Sequence, residues 1–95
     1  MNFGEAIAAL KQGKKVARSG WNGKGMFLYY VPENRYPAVT AIGKQIGIAA
    51  TGDSSEWDGK VAYGAYVAMK TAQNNVVPWL ASQTDVLAED WEVLD

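Results

Sequence analysis

Tyr66-Val67-Ala68-Met69-Lys70-Thr71-Ala72-Gln73-Asn74-Asn75-Val76-Val77-Pro78-Trp79 is the stretch that decides the architecture. Its two ends carry strand-forming residues, and Ala72-Gln73-Asn74-Asn75 between them reads as a tight turn, so the whole is a β-hairpin and the sheet is antiparallel. Toward the C-terminus, Ser82-Gln83-Thr84-Asp85 opens a short helix through Ala88 with Ser82 or Thr84 as its cap. Trp91-Glu92-Val93-Leu94 then alternates apolar and polar residues as a last strand. Toward the N-terminus, Met26-Phe27-Leu28-Tyr29-Tyr30-Val31 is a strand by composition, which Pro32 closes or marks as a sheet edge. Lys14-Lys15-Val16-Ala17-Arg18 is extended. Before it, Asn2 and Glu5 cap a helix in which Phe3, Ile7 and Leu10 recur at helical spacing until Gly13 stops it. Residues 39–46 fit a short helix, and residues 51–59 form a polar loop around Trp57. The expected fold is α+β: a small antiparallel sheet with an N-terminal helix and a short C-terminal helix, in one domain over residues 1–95.

Composition narrows the function. A chain of 95 residues with 48% hydrophobic content has room for one small core. With no disulfide or metal to reinforce it, association with further copies is the expected remedy. There is neither cysteine nor histidine, which excludes thiol nucleophiles, imidazole bases and zinc fingers and moves the expectation from catalysis to binding, with no cofactor and no metal. No apolar run approaches the ~18 residues that span a bilayer, and the N-terminal residues lack the order of a signal peptide. A soluble, intracellular protein with no membrane partner is expected. A net charge of −1 argues against DNA or RNA polymers as partners. The charges are unevenly placed, however. Lys11, Lys14, Lys15, Arg18 and Lys24 lie early, whereas Asp85, Glu89, Asp90, Glu92 and Asp95 follow Lys70 with no base among them. This pattern suits either a local anion site or two chain ends that pair with each other.

Two segments could carry chemistry. In Arg18-Ser19-Gly20-Trp21-Asn22-Gly23-Lys24-Gly25-Met26, glycines bare backbone N–H groups, Arg18 and Lys24 supply positive charge, and Trp21 offers a flat face for a base. The same residues also suit a glycine-rich loop with Trp21 folded onto the core. In Pro78-Trp79-Leu80-Ala81-Ser82-Gln83-Thr84-Asp85, a strand end followed by a helix start could present N–H groups, hydroxyls and an amide to a phosphate or sugar. Equally, Ser82 and Thr84 could only cap, Asp85 could serve the helix dipole, and Trp79 could be core. Trp91 belongs to the core, Trp57 has no assigned role, and the neighbours Glu89 and Asp90 read as a solvated surface rather than a catalytic pair.

The segments Met1-Asn2-Phe3-Gly4-Glu5-Ala6, Val16 through Met26, Met69-Lys70-Thr71 and Val77 through Trp91 resemble the small phage and prophage proteins of the second Thoeris anti-defence family. The likeness lies in the order of arginine, glycine-tryptophan-asparagine-glycine, tryptophan before serine-glutamine-x-aspartate, and a closing glutamate-aspartate-tryptophan. It covers the first and last thirds of the chain, while residues 33–64 are variable in the family. The resemblance implies a homotetrameric sponge in the host bacterial cytoplasm that sequesters the glycocyclic ADP-ribose signal of Thoeris immunity without cleaving it, in pockets between protomers. Some relatives also hold cyclic oligonucleotides of CBASS defence. Carried onto this chain, the ligand-binding set is Arg18, Trp21, Asn22, Gly23, Lys24 and Met26, with Trp79, Ser82, Gln83, Thr84 and Asp85 closing the other side. Trp21 would stack the base, and Arg18 and Lys24 would face the pyrophosphate.

Overall fold

A computed structural model describes residues 1–37 and 60–95 of the chain. The segments expected as a helix at 39–46 and as a loop around Trp57 lie outside the described residues. The chain divides into two compact units, Met1–Val31 with Tyr66–Asp95, and Pro32–Ala65.

The first unit opens with α1, Phe3–Lys11. Asn2 Oδ1 accepts from the Glu5 backbone N–H at 2.8 Å while Glu5 Oε1 accepts from Asn2 N–H at 2.9 Å, the reciprocal cap read from the sequence. The helix ends where the Gln12 and Gly13 N–H groups bond back to Ala9 and Leu10, with Gly13 at φ +86°, a conformation that favours glycine. Five strands follow in this unit: β1 Lys15–Arg18, β2 Phe27–Val31, β5 Tyr66–Lys70, β6 Val76–Pro78 and β7 Trp91–Leu94. They form one antiparallel sheet in the order β6-β5-β2-β1-β7. The β5–β6 hairpin turns as expected, with Asn74 N–H bonded to Thr71 O at 3.0 Å and Asn74 itself at φ 66°. Pro78, which cannot donate to a ladder, sits on the edge strand β6. Between β6 and β7 comes α2, Gln83–Leu87, capped by Ser82.

Register decides which residues share a face. Val16 pairs with Leu28 and with Val93, and Leu28 with Met69. These residues face α1, where Ala6, Leu10, Val16, Leu28 and Trp91 are all buried. Trp91 is the centre of this core. Its ring meets Phe3 at 5.5 Å, Trp21 at 5.4 Å and Trp79 at 6.0 Å, the two tryptophan contacts near edge-to-face, and its Nε1–H donates to the Asp85 carbonyl at 3.0 Å. Three of the four tryptophans thus converge on one small core in this unit.

The described part of the second unit contains β3, Asn34–Pro37, and β4, Lys60–Tyr63. They form a two-stranded antiparallel sheet with Asn34 opposite Tyr63 and Pro37 opposite Lys60. The composition of 33–37, polar and bounded by two prolines, carries no strand signal of its own, so this ladder is absent from the sequence reading.

Candidate functional site

The glycine-rich segment between β1 and β2 forms one wall of a cavity of about 280 Å³. Arg18, Trp21, Asn22, Gly23, Lys24 and Met26 all line it, and Ala17, Glu92 and Leu94 contribute from the strands beneath. Glycine is favoured by conformation at one place and by close packing at another. Gly25 has φ +77°. At Gly23 a side chain would run into Met26, whose Cγ lies 2.9 Å from where a Cβ would stand, so the thioether packs over bare backbone. Trp21 packs edge-on against Trp91, as the core reading expects, and also lines the cavity.

Arg18 lines the cavity and is also held in two ion pairs. Its Nε donates to Asp90 Oδ1 at 2.8 Å and its Nη1 to Asp85 Oδ1 at 2.9 Å, with the side chain only 18% exposed. Asp90 also accepts from the Gly20 N–H at 2.9 Å through Oδ2, and its carbonyl accepts from Ser19 N–H at 3.0 Å. A side chain at Gly20 would press on that carboxylate, since a Cβ would stand 2.9 Å from Oδ2. Asp90 therefore staples the start of the loop to the turn before β7. Glu89 is exposed as expected, but Asp90 corrects the expectation of a solvated pair, because its partners lie some seventy residues away and adjacency says nothing about them. The two chain ends do pair.

The electrostatics follow from these contacts. Burial pushes the Asp85 carboxyl up, but hydrogen bonds from Arg18 and Ser82, with help from Trp21, outweigh it and hold the group below the usual carboxylate range. Hydrogen bonding to Arg18, then to the Gly20 N–H, lowers Asp90 as well. Arg18's bonds to Asp90, the larger cause, and to Asp85 raise its own value, and it stays charged.

Trp79, Ser82, Gln83 and Thr84 do not line the cavity. Ser82 caps α2, its Oγ accepting from the Asp85 N–H at 3.1 Å while Asp85 Oδ2 accepts from Ser82 Oγ at 2.9 Å. Gln83 and Thr84 are exposed on that helix, and Trp79 packs on Phe3 and Trp91. Asp85 joins the two groups of candidates, because it caps α2 and holds Arg18. Sequence reasoning missed Glu92 and Leu94 as cavity residues. The alternation along β7 says nothing of a partner strand, and only the pairing with β1, with Glu92 opposite Ala17, brings them beside the loop.

Residues 1–94 match the model of the Tad2-like, Thoeris anti-defense 2-like domain. The chain belongs to this family. It is 42% identical to "Thoeris anti-defense 2" of Bacillus phage SP01 over 94 residues, 99% of this chain and 94% of that protein. In this Tad2-like chain, the match extends across residues 33–64, where the sequence alone gave least guidance. Among the described residues, no group of three or more carboxylates is placed to hold a metal ion.

Proposed function

We propose that this chain is a phage inhibitor of bacterial Thoeris immunity that works as a sponge. It binds the glycocyclic ADP-ribose signal and withholds it without cleaving it, in the host cytoplasm. Membership of the Thoeris anti-defense 2 family supports the anti-Thoeris role. The observation that carries the binding step is the cavity under the glycine-rich loop, whose lining brings together Trp21, Asn22, Lys24 and the carboxylate-bearing Glu92. Those groups match an adenine, a pyrophosphate and ribose hydroxyls in turn.

At about 280 Å³, the cavity falls just below the ~300–1,000 Å³ typical of small-molecule sites. One chain thus supplies part of an enclosure, which supports a pocket completed by a second protomer. Sequestration rather than turnover is supported by the chemistry of the lining. Among the cavity residues Glu92 is the one carboxylate, and the chain has no histidine or cysteine to act beside it.

Calorimetric titration with glycocyclic ADP-ribose tests the assignment. Trp21→Ala should weaken capture by roughly tenfold or more, since stacking on an aromatic ring contributes ~1–3 kcal/mol per base. Unchanged affinity in a folded variant would remove Trp21 from the site.

A further inference from the structure

We propose that Lys15 and Lys70, bracketing Phe27 on the face of the five-stranded sheet opposite α1, form an anion subsite contiguous with the loop cavity, and that it takes the pyrophosphate of the bound nucleotide. This rests on the nucleotide reading above and changes which cations serve it. Arg18, the obvious candidate by sequence, is already held by Asp85 and Asp90, so that cluster carries one net negative charge and would repel a phosphate.

The register shows where the unspent charge lies. Since Val16 and Leu28 face α1, their neighbours along each strand face the other way. One row across that face reads Glu92, Ala17, Phe27, Lys70, and the next reads Leu94, Lys15, Tyr29, Ala68. Both helices of the unit belong to the other side, α1 over Val16 and Leu28 and α2 through the bond from Trp91 to Asp85. Ala17, Glu92 and Leu94 are also cavity walls, so the cavity opens directly onto this face.

On it, the Lys15 ammonium stands 5.0 Å and the Lys70 ammonium 5.6 Å from the centre of the Phe27 ring, reaching it from the strands on either side of β2. Neither lysine forms an ion pair with another described residue. Lys70 gives one N–H to the Gly25 carbonyl at 2.8 Å, which ties the loop to the sheet and leaves two further donors. Two like charges drawn to one ring are only partly offset by its π-face, whereas a dianion beside the ring would satisfy both. Ala17, between Phe27 and Glu92 in that row, is only 6% exposed, so a ligand spanning the two strand spacings or ~10 Å between them rests on the flanking side chains. A ligand lying there puts its phosphates at the lysines and its hydroxyls at the Glu92 carboxylate, with its base in the loop cavity at Trp21.

The test uses the whole chain and two probes, inorganic pyrophosphate followed by NMR of the lysine side chains, and glycocyclic ADP-ribose followed by calorimetry. Variants are Lys15→Gln, which leaves the Gly25 contact in place, and Lys15→Gln with Lys70→Gln, with folding checked by circular dichroism. Pyrophosphate should shift both lysines of the unmodified protein. Lys15→Gln should lower nucleotide affinity by about tenfold and flatten its dependence on salt, and the double variant should lose more. Pyrophosphate binding that Lys15→Gln abolishes upholds the subsite even if the nucleotide proves to be the wrong ligand. Nucleotide binding that survives both variants unchanged overturns the subsite and leaves the nucleotide reading standing. Failure of the unmodified protein to bind either probe overturns both.

Discussion

Arg18, Asp85 and Asp90 show how a few contacts set the shape of the loop. The arginine bridges the turn before β7 to the first turn of α2, and Asp90 holds the backbone of Ser19 and Gly20. Because both aspartates have lowered values in the fold, their contribution to stability is complete above the unfolded value of ~3.9 and is lost as the pH falls through the folded values. Stability should therefore be insensitive to these groups between pH 7 and 5 and fall below about pH 4. Asp90→Asn should make that acid slope shallower, and at neutral pH it should destabilise the fold, since an amide cannot satisfy both the Arg18 and Gly20 donors with its one oxygen. Urea midpoints measured from pH 7 to pH 2.5 check this; equal acid slopes in both proteins would show that the staple carries no such load. At this scale the sequence was a partial guide. Trp91 as core and Trp21 as a residue of the loop site were legible from composition and pattern. The partnership of Arg18 with Asp85 and Asp90 was visible only as an imbalance of charge between chain ends, because an ion pair between distant residues leaves no local periodicity.

Secondary-structure elements were more legible, and the reason is local chemistry. α1, the β5–β6 hairpin, α2 and β7 are each marked by a cap, a glycine stop, a turn or an alternation, and β2 by its β-branched and aromatic composition closed by Pro32. The β3–β4 ladder was not legible, since Asn34-Arg35-Tyr36-Pro37 has neither alternation nor β-branched residues, and its extended form comes from pairing with β4. α2 has only five residues and no buried side chain among them, so it depends on its cap and on the bonds through Asp85. Ser82→Ala should cost ~1 kcal/mol, which lowers the melting temperature of a domain of this size by about 4–8 °C. Thermal unfolding followed by circular dichroism gives the answer, and an unchanged midpoint would mean that the Arg18 pairing alone holds the helix.

At the scale of the whole molecule, the core is too small to cover what the chain presents. Leu80 is 92% exposed, Leu87 78% and Val76 55%, while the largest fully buried side chains are Trp91, Leu10, Leu28 and Val16. Exposed apolar groups of this kind on a small domain with no disulfide favour association between copies. Native mass spectrometry should give a multiple of the 10.3 kDa chain mass, and Leu80→Asp with Leu87→Asp should lower it. A monomer at micromolar concentration would contradict a pocket shared between protomers. The central claim is that the chain holds a nucleotide signal and returns it unchanged. Its most direct measurement is to incubate the protein with glycocyclic ADP-ribose, remove free ligand by filtration, denature the protein by heat and identify what is released by mass spectrometry. Recovery of the intact cyclic nucleotide in proportion to the protein is the expected result. Release of a linear or hydrolysed product, or of nothing at all, would contradict it.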